Sequence, residues 1–153
     1  MATSGRSSRP SPAGALQTWL SGVSCESATA CTAVGAQVSS TTTLTLAERW
    51  KGLGWAIQSS PSGLAGEFSA VSCPTATACT AVGAYQIVNG TFVTLAERRN
   101  GTKWAIQSSP SPTNRSFADL TGVSCVSAST CEAAGYSATD QGSDFTLAEG
   151  NAP

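Results

Sequence analysis

The sequence predicts an all-β fold of three four-stranded antiparallel repeat units, set side by side as β-propeller blades in a partial ring. Three observations predict it: an internal repeat of about 50 residues, short strand patterns bounded by turn residues, and no stretch with a 3.6-residue apolar period. Gly22-Val23-Ser24-Cys25 recurs as Ala70-Val71-Ser72-Cys73 and as Gly122-Val123-Ser124-Cys125. Ala28 to Ala36 is identical to Ala76 to Ala84, and Ser129 to Gly135 is a diverged third copy. Thr45-Leu46-Ala47-Glu48 returns at Thr94 to Glu97 and at Thr146 to Glu149, and Trp55 to Ser62 is identical to Trp104 to Ser111. The chain therefore divides into a flexible N-terminal segment or inter-blade link (1–15), repeat 1 (16–63), repeat 2 (64–113) and repeat 3 (114–153).

Within a copy the strands follow one another in order. In repeat 1, strand A falls near Leu20 to Cys25, strand B near Cys31 to Ala36, strand C near Leu44 to Arg49 and strand D near Trp55 to Ser59. Asn100-Gly101 marks the hairpin between C and D in repeat 2, because Asn-Gly suits a two-residue turn. Pro61, Pro110 and Pro112 end strand D, since proline cannot donate to a ladder. Strand C is two-faced: Leu44, Leu46 and Glu48 line one side, Thr45 and Ala47 the other. A sheet with one wet face would alternate apolar with charged residues. Bulky face against small face instead predicts sheets covered on both sides, as in stacked blades.

Composition excludes several partners. Of 153 residues only 11% are charged, against about 25% in an average soluble protein, and the net charge is -1. Without a basic stripe, neither nucleic acid nor an anionic membrane surface is an expected partner. No segment is long and apolar enough to cross a membrane. Met1 to Pro12 lacks the apolar run of a secretory signal, so an exported chain would have lost its signal or be part of a longer one.

Six cysteines fall into three pairs of equal spacing, Cys25/Cys31, Cys73/Cys79 and Cys125/Cys131. Free buried thiols and a metal site are the alternatives to disulfides. The chain has no histidine and no two-residue Cys gap of the zinc type. Local disulfides across the A–B hairpin are therefore expected, and with them an oxidising, extracellular compartment.

The compound pattern GVSC-x5-C-x-AVG, then TLAER, a W-x-(I/V)-Q strand and a Ser/Pro-rich link, resembles tandem repeats of uncharacterised exported actinobacterial proteins read as β-propeller blades. The resemblance spans nearly all of residues 16–149. It implies a propeller-like fold and export, and it brings no catalytic or binding residues with it. Two departures stand out. Three blades are fewer than the usual four to eight, and repeat 3 has no strand D after Glu149. Arg9-Pro10-Ser11-Pro12 matches the link that follows strand D elsewhere. The chain thus reads as an arc of a longer ring, or as a protomer that associates head to tail with other copies. A β-trefoil, which also has three four-stranded repeats but closes on itself, is the alternative.

Candidate chemistry is sparse. Glu48, Glu97 and Glu149 occupy one position in every copy, which points to a structural part in each unit, with Arg49 and Arg98 as rim partners. Nucleophilic serine needs a base, and histidine is absent. Lys51 and Lys103 read as solvated turn residues, and Asp119, Asp140 and Asp144 lack the spacing of a calcium loop. Asn89, Asn100 and Asn114 match glycosylation acceptors but suit turns equally well. Trp55 and Trp104 are expected in the core, while Trp19, Trp50, Tyr85 and Tyr136 are candidate stacking faces for a sugar or anchors for a protein. No metal and no cofactor is expected. The expected function is a non-enzymatic, exported module that binds a protein or glycan. The alternative is a fragment of an extracellular polysaccharide-active enzyme whose site lies in blades outside this chain.

Overall fold

The computed structural model describes residues 12–61 and 65–150. Most of the N-terminal link, 1–11 with Arg9 and Pro10, lies outside the described residues. Among those described there are eleven strands and no helix: β1 (Gln17–Ser27), β2 (Ala30–Val38), β3 (Thr43–Trp50), β4 (Trp55–Gln58), β5 (Gly66–Thr75), β6 (Ala78–Gln86), β7 (Phe92–Asn100), β8 (Lys103–Gln107), β9 (Phe117–Cys125), β10 (Cys131–Ala138) and β11 (Asp144–Gly150). They form three antiparallel meanders, β1-β2-β3-β4, β5-β6-β7-β8 and β9-β10-β11, which do not close into a barrel.

In the first and third sheets the hairpin register sets the cysteines directly opposite one another, and in the second the pair falls at a register irregularity after Ser72. Cys25–Cys31, Cys73–Cys79 and Cys125–Cys131 are disulfide-bonded with Cα atoms 4.0 Å apart. The strands run further than their apolar cores suggest, because β1 continues past Cys25 to Ser27. The turn after β7 is displaced by one residue from the Asn-Gly expectation. Asn100 still pairs with Lys103, so Gly101 and Thr102 form the turn. Gly101 takes φ of 68° at its first position, a left-handed conformation that glycine adopts without a Cβ penalty.

The alternation along each strand makes two unlike faces, and consecutive sheets meet through them. The front face of sheet 2 carries Phe68, Ala81, Leu95 and Trp104, and these pack with Val34 and Ala47 from the back face of sheet 1 in one buried cluster. β5 lies against β1, β2 and β3, and β9 against β5, β6 and β7. The first strand of each sheet is thus laid across the sheet before it. Large side chains enter the shallow surface left by Val, Thr and Ala, which is why strand C reads as bulky on one side and small on the other.

A β-bulge in the first strand fixes one glycine per repeat. The register of β1 on β2 slips between Leu20 and Gly22, and that of β5 on β6 between Phe68 and Ala70. The slip drives a first-strand carbonyl onto the facing residue. A Cβ at Gly35, Gly83 or Gly135 would lie 2.0, 2.1 or 1.9 Å from the carbonyl oxygen of Trp19, Glu67 or Asp119. Only glycine fits there.

Candidate functional site

The repeated carboxylates are drawn into the joints between sheets. Ser60, just after β4, donates to Glu97 Oε2 at 2.7 Å, and Ser109, just after β8, donates to Glu149 Oε2 at 2.6 Å. Each of these serines also lies against the Thr hydroxyl of its own repeat, Thr45 at 3.0 Å and Thr94 at 2.8 Å. A Thr–Ser–Glu chain thus runs from one repeat into the next. A second tie recurs nearer the disulfides: Cys73 N–H donates to Ser24 Oγ, and Cys125 N–H to Ser72 Oγ, both at 3.0 Å. Burial pushes the carboxyls of Glu48 and Glu97 above the usual carboxylate range, and the Ser60 bond opposes this at Glu97.

Arg99, next to the expected rim residue Arg98, is a charge as completely buried as Glu97. Arg99 occupies the place that Trp50 holds in repeat 1 and is fully buried. It donates to Ala76 O at 3.2 Å and to Cys79 Sγ at 2.9 Å, approaches Glu26 at 3.9 Å and sits over the Trp104 ring. Desolvation lowers its pKa, with Arg49 adding to the effect and Glu26 opposing it. Glu26 lies close to Cys73 and Cys79, but both sulfurs are in a disulfide and offer no thiolate to a metal.

At the opposite end of the sheets from the disulfides, a groove of about 440 Å³ opens between repeats 1 and 2. Trp19 and Phe92 form its aromatic walls, Glu67 and Gln86 bring a carboxylate and an amide, and Thr41 to Thr43 add hydroxyls. Phe92 leads into an aromatic row, with Phe117 at 5.6 Å and Tyr136 stacked 5.5 Å beyond it. Arg115 caps the neighbouring Phe145 at 4.4 Å. Among the described residues Glu67 is the one titratable group lining the groove. Burial raises its pKa first and the nearby Asp119 raises it further. Asp119 itself is only 8% exposed. Burial raises its pKa too, against the Ser69 hydroxyl and the Leu120 amide that donate to it.

The four aromatic candidates do not converge. Trp19 lines the groove and Tyr136, 39% exposed, ends the aromatic row. Tyr85 packs against the buried cluster, and Trp50 pairs with Trp55 at 5.8 Å near the disulfide end. Trp104 is buried as a core residue and donates to Gln58 Oε1 at 3.2 Å. Trp55 is only half-buried, because no earlier sheet among the described residues covers repeat 1. Phe92 and Phe117 were missed because each reads as an ordinary strand-end residue of its own repeat. They meet only when neighbouring repeats are laid together. Compared with protein-family models, curated proteins and solved structures, the chain matches none.

Proposed function

We propose that the chain is an exported, non-enzymatic repeat module of β-propeller type, three blades of an open arc, and that it recognises a glycan. The groove between repeats 1 and 2 carries this reading. An indole and a phenyl ring offer flat apolar faces to the C–H face of a sugar, while Glu67, Gln86 and the threonines offer hydrogen bonds to its hydroxyls. The three disulfides are compatible with an extracellular location. Glu97 and Glu149 serve as ties between sheets and are not free for chemistry. A retaining or inverting glycosidase needs two carboxyl groups facing one bond. Among the described residues Glu67 is the one carboxylate lining the groove, since Asp119 is buried behind it under two donors.

The test is calorimetric titration of the chain with a panel of neutral and acidic oligosaccharides. At least one should bind, and Trp19→Ala should weaken it tenfold or more, about 1.4 kcal/mol. Absence of binding across the panel, or binding indifferent to Trp19→Ala, contradicts the reading. Hydrolysis of a bound glycan that Glu67→Gln abolishes would favour the polysaccharide-active alternative.

A further inference from the structure

A second cavity, of about 320 Å³, lies between the back of sheet 2 and the front of sheet 3. Val82, Val123, Cys131, Ala133, Gln107 and Glu149 line it. Repeat by repeat, these are the counterparts of Val34, Val71, Cys79, Ala81, Gln58 and Glu97 at the joint between sheets 1 and 2. There, Val34, Val71, Cys79 and Ala81 belong to the buried cluster that holds Trp104, and Gln58 accepts the Trp104 indole N–H. The cavity therefore has the walls and the acceptor of a tryptophan site, at the one joint whose second sheet has three strands. Among the described residues β11 is an edge, paired with β10 on one side only.

We infer that this edge and cavity form a docking site for an extended Trp-x-Ile-Gln strand, which adds to β11 and places its indole in the cavity. The occupant lies outside residues 1–153. All four tryptophans of the chain are at 19, 50, 55 and 104, and the residues not described, 1–11, 62–64 and 151–153, include no aromatic residue. The register follows from the other two sheets. Gln58 and Gln107 stand opposite Ala47 and Ala96, and Ile57 and Ile106 opposite Glu48 and Glu97. The incoming Gln should then face Ala148 and the incoming Ile Glu149. Main-chain bonds to the β11 edge supply affinity, and the indole supplies selectivity.

A labelled peptide with the sequence of Lys103 to Pro110, titrated into the full chain and followed by anisotropy, tests this. Saturable binding is expected, weakened at least tenfold by Trp104→Ala in the peptide. Ala133→Leu in the chain, which fills the cavity, and Gln107→Ala, at an exposed residue whose loss leaves folding intact, should each weaken it as well. No binding up to millimolar peptide overturns the inference, as does equal binding of the Trp104→Ala peptide. Binding that ignores both chain substitutions would mean exchange with β8 and overturns it too. Should Ala133→Leu fail to fold, the peptide variant and Gln107→Ala still decide.

Discussion

At the scale of single residues, the buried acids give the chain an unusual pH response. Glu97 is fully buried with Oε2 on the Ser60 hydroxyl, and Oε1 has no hydrogen-bond partner among the described residues. Its folded pKa stands above the ordinary 4.5, as do those of Glu48 and Glu67, and Asp119 stands above 3.8. For an acid with a raised folded pKa, the native state binds more protons than the unfolded chain between the two values. Stability therefore falls as pH rises through that window and is regained on acidification toward the unfolded value. Thermal unfolding between pH 8 and 5 should show a melting temperature that holds or rises as pH falls, and Glu97→Gln should flatten that slope. At neutral pH Glu97→Gln keeps the acceptor for Ser60 and should be neutral or stabilising. Glu97→Ala removes the Ser60–Glu97 bond and leaves a void, and should cost about 2 kcal/mol. The bulge glycines give a sharper contrast. Gly83→Ala drives a Cβ onto the Glu67 carbonyl and should cost about 3 kcal/mol or more, whereas Gly122, with open space around its Cβ position, should tolerate Ala within about 1 kcal/mol in denaturant unfolding.

At the scale of elements, each disulfide closes a hairpin of a sheet too small to be stable alone. On the chain-entropy model a seven-residue ring contributes about 2–2.5 kcal/mol. Replacing both Cys73 and Cys79 by Ala should cost at least that much, because the pair also packs in the central cluster and Cys79 Sγ accepts from buried Arg99. The same replacement at Cys25 and Cys31, at the less covered end, should cost less. Strands, hairpins and cysteine pairs were legible because each is local: an alternating pattern, a turn residue, a fixed spacing. What was not legible depends on the neighbouring repeat. Ser24 and Ser60 look like surface serines until the next sheet brings Cys73 N–H and Glu97 to them. Arg99 looks like a rim cation beside Arg98 until Thr32 and Glu26 enclose it. Trp19 was legible as a groove residue only in type, since Glu67 and Phe92 reach it from repeat 2.

At the scale of the whole molecule, position in the stack decides burial more than residue type does. Leu20, Phe68 and Leu120 hold one place in three repeats, yet Leu20 is 49% exposed while Phe68 and Leu120 are at 0% and 1%. Sheet 2 has a neighbour on both faces. Sheet 1 shows Leu20 and Val23 to solvent on its front, and sheet 3 shows Ala134, Tyr136, Thr146 and Ala148 on its back. Phe68→Ala should therefore cost about 3–5 kcal/mol and Leu20→Ala under about 1 kcal/mol. In a linear stack, stability is a sum of unit and nearest-neighbour terms, so the middle unit opens last. Native-state hydrogen exchange on the dilute chain tests the open stack most directly. The slowest amides are expected in β5, β6 and β7, with sheets 1 and 3 exchanging through easier local openings. Equal protection of all three repeats, as a closed ring with threefold pseudosymmetry would give, contradicts it.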